Sequence, residues 1–417
     1  MDKILNIHIL GIAGTMTAPL AKALIKKGHY VTGSDQEKIY PPISDLINNI
    51  PLNQPLGNID LAIIGSSYKS FKICLDEFEQ IKKQNIPYIS ATEYIAQNLI
   101  KEESVLIAGS YGKTTITAAL AHILPNSNYF FGGASVNNLP SLNFSDSSMS
   151  IVEADESING LDTKAKFLYY PVKYLILTSV QWEHKDSYKT AEECFDAFKK
   201  LVQNLPKDGV LIYNPIDKDI QQLLPFCQAK TIPYTNNQID TKLIGQHNQE
   251  NLNAVSTLCQ YLGIPFNIQD FSGVKRRLEI ISNQNDILIV DDFAQSATRV
   301  KSALEAIKYS FPNRPIKIYF EPHASFLQNH ESILEFKQIS GLFNDFVLGK
   351  IKYSKDKNMR IYAKDWQNVI GERFYYFPLD SELIEHLKVS LLPNDILIHF
   401  SSGGLDGLNN LKKVYNN

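Results

Sequence analysis

Short apolar runs rich in β-branched residues alternate with amphipathic helical stretches along almost the whole chain. Parallel strands need long, usually helical crossovers, so this alternation predicts βαβ units and mainly parallel sheets. In the first part, the spacing predicts a strand over Ile4–Leu10 ended by Gly11 and a helix over Pro19–Lys27 stopped by Gly28. Strands follow from Tyr30 and over Asp60–Ile64. In the second, strands are predicted over Val105–Ala108, Ser150–Glu153 and Tyr174–Thr178, and helices over Thr114–Leu124, Ala191–Asn204 and Asn251–Leu262. In the third, strands are predicted over Ile287–Val290, Ile316–Phe320, Phe346–Leu348 and Asp395–Phe400, with a helix over Val300–Ser310.

A chain of 417 residues suggests two to four domains. Breaks near residues 98 and 267 give three α/β blocks, 1–97, 98–267 and 268–417. With 44% hydrophobic and 20% charged residues the chain reads as soluble and globular. Lys and Arg number 41 against 44 Asp and Glu, so no basic excess draws it to nucleic acid. No apolar run approaches the roughly 18 residues of a membrane span, and the N-terminal segment lacks the pattern of a secretion signal. The four cysteines, Cys74, Cys194, Cys227 and Cys259, form no CxxC pair and are expected as buried thiols in a reducing cytoplasm.

The strongest local signal is AGSYGKTT at 108–115, between a predicted strand and a predicted helix. Gly109 and Gly112 let backbone N–H groups close around phosphate oxygens, with Ser110 and Thr115 in the same loop. The helix N-terminus adds partial positive charge. Lys113 can reach the β/γ-phosphates and Thr114 can offer its hydroxyl to Mg²⁺. The spacing is a shortened form, since the first glycine of GxxxxGK[ST] would fall at Ile107. Glu153 and Asp155 follow a strand, where carboxylates beside a phosphate loop can hold a metal. His184, just past another strand, is a lone histidine that needs companion ligands. A second glycine turn, Gly11-Ile12-Ala13-Gly14-Thr15, either holds a diphosphate or is a tight βα turn. Ser34 and Asp35, after the second strand, can receive a ribose or base edge.

Taken together, these segments resemble the Mur ligases, ATP-dependent amide-forming enzymes of peptidoglycan assembly and recycling. The resemblance runs in order along essentially the whole chain. It includes HILGIAGT at 8–15, GHYVTGSD at 28–35, AGSYGKTT at 108–115, EADES at 153–157, GQHNQEN at 245–251, GVKRRLE at 273–279, DDF at 291–293, FEPH at 320–323 and FSSGGLDG at 400–407. YPPIS at 40–44 and IPYIS at 86–90 point to the family's peptide-ligase branch, with the alanine-ligase branch next.

The resemblance implies a UDP-binding Rossmann-like domain, a central P-loop ATPase and a C-terminal Rossmann-like domain. It further implies ATP and Mg²⁺ as cofactors, with UDP-N-acetylmuramate and an alanine-headed peptide or L-alanine as substrates. Gly11, Ala13, Gly14, Thr15, Ser34 and Asp35 would then meet the UDP moiety. Gly109, Ser110, Gly112, Lys113, Thr114, Thr115, Asn248, Asn251, Arg277 and Asp292 would hold the nucleotide. Lys113, Glu153 and His184 would be catalytic, and Thr114, Glu153 and His184 the metal ligands.

The chain also departs from the family pattern. Glu183 stands where the family has Asp before the metal-binding His, and Thr178-Ser179-Val180 lacks its usual Asn. Gln295-Ser296-Ala297 replaces His-His-Pro in the domain expected to meet the amine, and the Arg expected after FEPH is missing. Lys199 and Lys200, spaced as a carbamylated lysine would be, read instead as a solvated helix face. The altered segment raises a competing reading, a non-catalytic nucleotide-binding protein on the same scaffold.

Overall fold

A computed structural model of the protein describes residues 3–36, 49–182, 187–322, 330–351, 360–401 and 406–415. The chain divides into two compact units, residues 1–242 with 248–271, and residues 243–247 with 272–417.

The first unit carries two sheets. One comprises β1 (Asn6–Leu10), β2 (Tyr30–Ser34), β3 (Leu61–Ile64) and β4 (Tyr88–Ser90), ordered β2-β1-β3-β4 and parallel throughout. Ser90 then starts the helix Ala91–Asn98 with a capping box, its hydroxyl accepting from the Glu93 amide while the Glu93 carboxylate accepts from the Ser90 amide. The other comprises β5 (Glu103–Ala108), β6 (Asn128–Phe130), β7 (Leu142–Asn143), β8 (Met149–Glu153), β9 (Tyr174–Leu177), β10 (Val210–Tyr213) and β11 (Lys230–Pro233). Its order is β11-β10-β9-β5-β8-β6-β7, parallel except for the edge pair β6–β7. One apolar core, from Ile7 and Ile9 through Leu106 and Val152 to Phe198 and Leu211, underlies both sheets. The helix Lys113–Ile123 is buried on nearly every side, which explains its run of Ala, Thr and Ile.

The second unit has β12 (Glu279–Gln284), β13 (Ile287–Asp292), β14 (Ile316–Glu321), β15 (Asp345–Leu348), β16 (Phe374–Tyr376) and β17 (Ile396–Ser401). The order is β12-β13-β17-β14-β15-β16, with only β12–β13 antiparallel. One face is filled by Phe320, Phe336, Phe346 and Trp366. The last strand enters between β13 and β14, so chain order and sheet order differ.

The helix expected over Asn251–Leu262 begins earlier, at Gln246, immediately after Gly245 with φ +94. Polar side chains hid this start, because four of them sit on the buried face: Asn248, Gln249, Asn251 and Asn253. Gln249 exchanges side-chain bonds with the backbone of Ile239, which removes the usual cost of burying an amide. All four cysteines are free, with Cys74, Cys194 and Cys259 buried. Among the described residues no helix is long and apolar enough to cross a membrane.

Candidate active site

Strand order reverses around β5, which lies between β8 and β9. Ligands gather at such switch points beyond the carboxyl ends of the strands. Each of the three strands delivers part of the site at that edge: Gly109–Thr115 after β5, Glu153 closing β8, and Thr178-Ser179 after β9.

Gly112 caps the helix in the left-handed region, φ +80, and Gly109 has φ +126. A Cβ at Gly109 would strike the Thr178 hydroxyl, and one at Gly112 would strike the Asn251 side-chain oxygen. Only glycine therefore allows both the turn and these approaches. The Thr178 hydroxyl donates to the Tyr111 carbonyl at 2.6 Å, and the Tyr111 amide donates to Ser179 Oγ at 3.2 Å. Ser110 Oγ donates to the Gln181 carbonyl and accepts from the Gln181 amide. The helix supplies no acceptor to the amides of its own first turn, Lys113 to Thr115, which is the usual provision for an anion.

Lys113 Nζ donates to the Gly109 carbonyl at 2.6 Å and to Glu156 Oε2 at 2.8 Å. Glu156 is almost fully buried, so this is an interior ion pair whose partners depend on one another. The Thr114 hydroxyl donates to Glu153 Oε1 at 2.9 Å, and Glu153 Oε2 accepts from the Gly132 amide at 2.6 Å. A hydroxyl and a carboxylate are hard oxygen donors, so this pair fits Mg²⁺. His184 and Glu183 lie outside the described residues.

Asp155 turns to Lys166 instead, whose Nζ donates to Asp155 Oδ2 and to Ser157 Oγ at 2.7 Å each. Burial pushes the Asp155 carboxyl up, but the Lys166 ammonium outweighs it and holds the group well below the usual carboxylate range. Nothing in the motif alone distinguished Asp155, tied to Lys166, from Glu153, tied to Thr114.

Asn248 and Asn251 share one face of the helix Gln246–Leu262, with Asn251 Nδ2 donating to Asn248 Oδ1 at 3.2 Å. Asn251 thus stands against the phosphate loop at Gly112. In the second unit, Asp292 Oδ1 accepts from the Ala294 amide at 2.8 Å and Oδ2 from the Leu278 amide at 2.9 Å. Burial pushes its carboxyl up to about 6, against the pull of those amides and of the Arg277 charge. Arg276 and Leu278, on either side of Arg277, both have positive φ, so this turn is conformationally demanding.

The first glycine turn is built differently. Gly11 and Ile12 donate their amides to the Ser34 carbonyl, Gly14 donates to the Gly11 carbonyl, and Ala13 donates to Asp35 Oδ2 at 2.8 Å. Asp35 Oδ1 accepts from Gln36, and Ser34 Oγ faces His8 Nε2 at 3.5 Å. Of the residues expected at the UDP moiety, Gly11, Ala13, Gly14, Ser34 and Asp35 are bonded chiefly to one another and to neighbouring strands, and Thr15 follows them. The motifs do not mark Glu156, Lys166, Ser179 or Gln181 as site residues. Glu156 stands in EADES beside Glu153 and Asp155, which could flag it, but nothing local flags the others.

Residues 6–102 match the family description "Mur ligase family, catalytic domain" and residues 107–238 match "Mur ligase middle domain". The chain belongs to the Mur ligase family. Members of this family are ADP-forming amide ligases, and this chain is an enzyme of that type. It is 27% identical to a UDP-N-acetylmuramate–L-alanine ligase of Desulfitobacterium hafniense, over 96% of this chain and 98% of that one. It is 28% identical to the Escherichia coli UDP-N-acetylmuramate–L-alanyl-γ-D-glutamyl-meso-2,6-diaminoheptandioate ligase, over 73% of this chain and 76% of that one. Among solved structures, the UDP-N-acetylmuramate–alanine ligase of Thermotoga maritima is similar with a TM-score of 0.76 and 21% identity, covering 99% and 98% of the two chains. A murein peptide ligase of Psychrobacter arcticus is similar with a TM-score of 0.63 and 19% identity, covering 99% of each. The three-sheet plan is thus that of the Mur ligase fold.

Proposed function

We propose that this enzyme joins the carboxylate of UDP-N-acetylmuramate to the amino group of an L-alanine-headed peptide, with ATP converted to ADP and phosphate. The observation that carries this reading is the cluster at the edge of β5 and β8. A phosphate-type loop, a half-buried lysine paired with a buried glutamate, and a Thr–carboxylate pair stand together there.

A carboxylate is a poor electrophile because its charge repels the amine. Transfer of the ATP γ-phosphoryl group to a carboxylate oxygen gives an acyl phosphate, whose carbonyl carbon has a good leaving group. The amine then attacks through a tetrahedral intermediate, loses a proton, and phosphate departs. Phosphoryl transfer needs positioning and charge compensation more than covalent chemistry. Lys113 supplies a cation whose approach is set by Glu156 and Gly109. The loop amides orient the phosphates, and Asn248 and Asn251 receive the adenine. Arg277 and Asp292 complete the nucleotide's surroundings, and the turn at Gly11–Thr15 with Ser34 and Asp35 receives the UDP moiety. Thr114, Glu153 and His184 would hold Mg²⁺, which when bound neutralises phosphate charge.

The segments YPPIS and IPYIS support the peptide as amine, and with it a recycling role. A second reading, free L-alanine as the amine, is favoured by the alanine-ligase relative spanning 96% of this chain against 73% for the peptide ligase. Phosphate release with UDP-N-acetylmuramate, ATP and Mg²⁺ decides between them when either L-alanine or an alanine-headed tripeptide is added. Faster turnover with the tripeptide is expected. Preference for free alanine selects the second reading, and no amine-dependent release with either removes both.

A further inference from the structure

β17 reads Ile-Leu-Ile-His-Phe-Ser and is buried at every position, yet it carries a histidine in its centre. Register places His399 directly beside Asp291 on β13 and beside Tyr319 on β14. Direct neighbours on adjacent strands project to one face, so the three side chains form a row. Glu321, two residues beyond Tyr319, projects to the same face.

The contacts are specific. His399 Nδ1 lies 2.6 Å from Asp291 Oδ1, and Nε2 lies 3.1 Å from Glu321 Oε2. The Tyr319 hydroxyl donates to Glu321 Oε1 at 2.8 Å, and its ring lies against the imidazole with centroids 4.7 Å apart. Arg276 Nε donates to Asp291 Oδ2 at 3.1 Å, and its guanidinium also bonds the Ser401 carbonyl. Gly407 closes the cluster from the last helix, where a Cβ would strike both Glu321 Oε2 and His399 Nε2.

A neutral imidazole has one N–H and can donate to only one carboxylate. Bridging two carboxylates through both ring nitrogens requires a second ring proton, or a proton on one of the acids. We propose that His399 is a positioning residue that works as a buried imidazolium, clamping Asp291 to Glu321 and, through Asp291 and Arg276, fixing the turn that carries Arg277. The role in nucleotide binding rests on the function proposed above for Arg277 and Asp292. Among the described residues, the groups facing the imidazole are Asp291 from β13, Glu321 and Tyr319 from β14, and Gly407, which bears no charge, from the last helix. Beyond Asp291 stand Arg276, Glu279 and Asp292. Burial alone would push the His399 ring down. The hydrogen bonds to Asp291 and Glu321 outweigh burial and raise it to about 9, while Glu321 is held below its usual range. Because the folded value lies above the unfolded one of about 6.5, the clamp is fully stabilising below that pH. It is lost as pH rises through about 9.

The test is ¹⁵N NMR of the histidine rings in the full-length enzyme, with the His399 signals assigned by their loss in His399→Gln. Both ring nitrogens are expected to be protonated at pH 7.5, and the titration is expected to move to lower pH in Glu321→Gln. A neutral tautomer at pH 7.5 in the folded wild type overturns the proposal whatever the ligase activity. ATP affinity by calorimetry supplies the second readout. It should fall by about tenfold per unit of pH above the imidazole pKa if the clamp sets the turn, and the fall should begin at lower pH in Glu321→Gln. An ATP affinity with the same pH dependence in both proteins sinks the positioning role. Absence of amine-dependent turnover, with both readouts as expected, overturns only the proposed ligase substrates.

Discussion

The first unit holds two glycine turns of nearly the same sequence character, each joining a parallel strand to a helix, and they are wired differently. In the turn at 11–15, the amides of Gly11, Ile12, Ala13 and Gly14 all donate to acceptors within the protein, including the Asp35 carboxylate. In the turn at 108–115, side chains after β9 hold the loop from outside, and a helix begins at Lys113 whose first-turn amides have no intrahelical acceptor. A cation, Lys113, stands in the second turn, and an anion, Asp35, stands under the first. Glycine content alone does not make the two turns alike. Loop amides are engaged in both turns, since Ser110 and Tyr111 donate to Ser179; what differs is the charge beside them, Lys113 in the second and Asp35 in the first.

Substitutions can break this contrast. Lys113→Ala should have the largest effect, lowering ATP-dependent turnover by about 10²–10³-fold, the scale of losing one charge-stabilising donor. Its circular dichroism should be that of wild type; retained turnover would remove the second turn from the chemistry. Gly112→Ala should damage stability as well as activity, by about 1–2 kcal/mol for the left-handed conformation alone, because the methyl group also meets Asn251. Denaturant melts with and without ATP would show both losses.

Asp35→Ala probes the first turn. It strands the Ala13 and Gln36 amides and should cost about 1–3 kcal/mol of stability, with turnover at saturating ATP far less affected than in Lys113→Ala. An ATP-specific defect in this variant would erase the distinction between the turns.

Two smaller effects sharpen the picture. Lys166→Met leaves Asp155 without its cation. In the wild type the Asp155 carboxyl lies below its unfolded value of about 3.9. Its contribution to stability is therefore present above that pH and is lost as pH falls through the folded value. The variant should show a stability deficit near pH 7 that narrows toward acid, measured by urea melts at several pH values. Lys199→Ala should be the mildest, within about 1 kcal/mol, since Lys199 lies over the Phe226 ring at 4.0 Å on a partly exposed helix face. A large loss of turnover there would revive a carbamylated-lysine role.

Much of the site was legible because its signals are local. AGSYGKTT needs only a strand before it and a helix after it, and both can be read from periodicity. Thr114, in the first turn of the helix Lys113–Ile123, and Glu153, closing β8, are named together by the family resemblance. The start of the helix at Gln246 was not legible, since its buried face is amide-rich and lacks an apolar stripe. His399 carried one faint signal, a lone polar residue inside an otherwise apolar strand.

By itself, then, the sequence determined that parallel α/β layers would form and where the phosphate-type turn would lie, because strand and helix periods and glycine turns are properties of neighbours along the chain. Tertiary structure alone decided which groups meet. It paired Lys113 with Glu156 and Asp155 with Lys166, engaged the amides of the first turn, and enclosed His399 between Asp291 and Glu321. Those pairings follow from strand order, which places β8 and β9 beside β5 and inserts β17 between β13 and β14. Burial then gives each pairing its energy, because a charge removed from water must find its partner in whatever strand lies beside it.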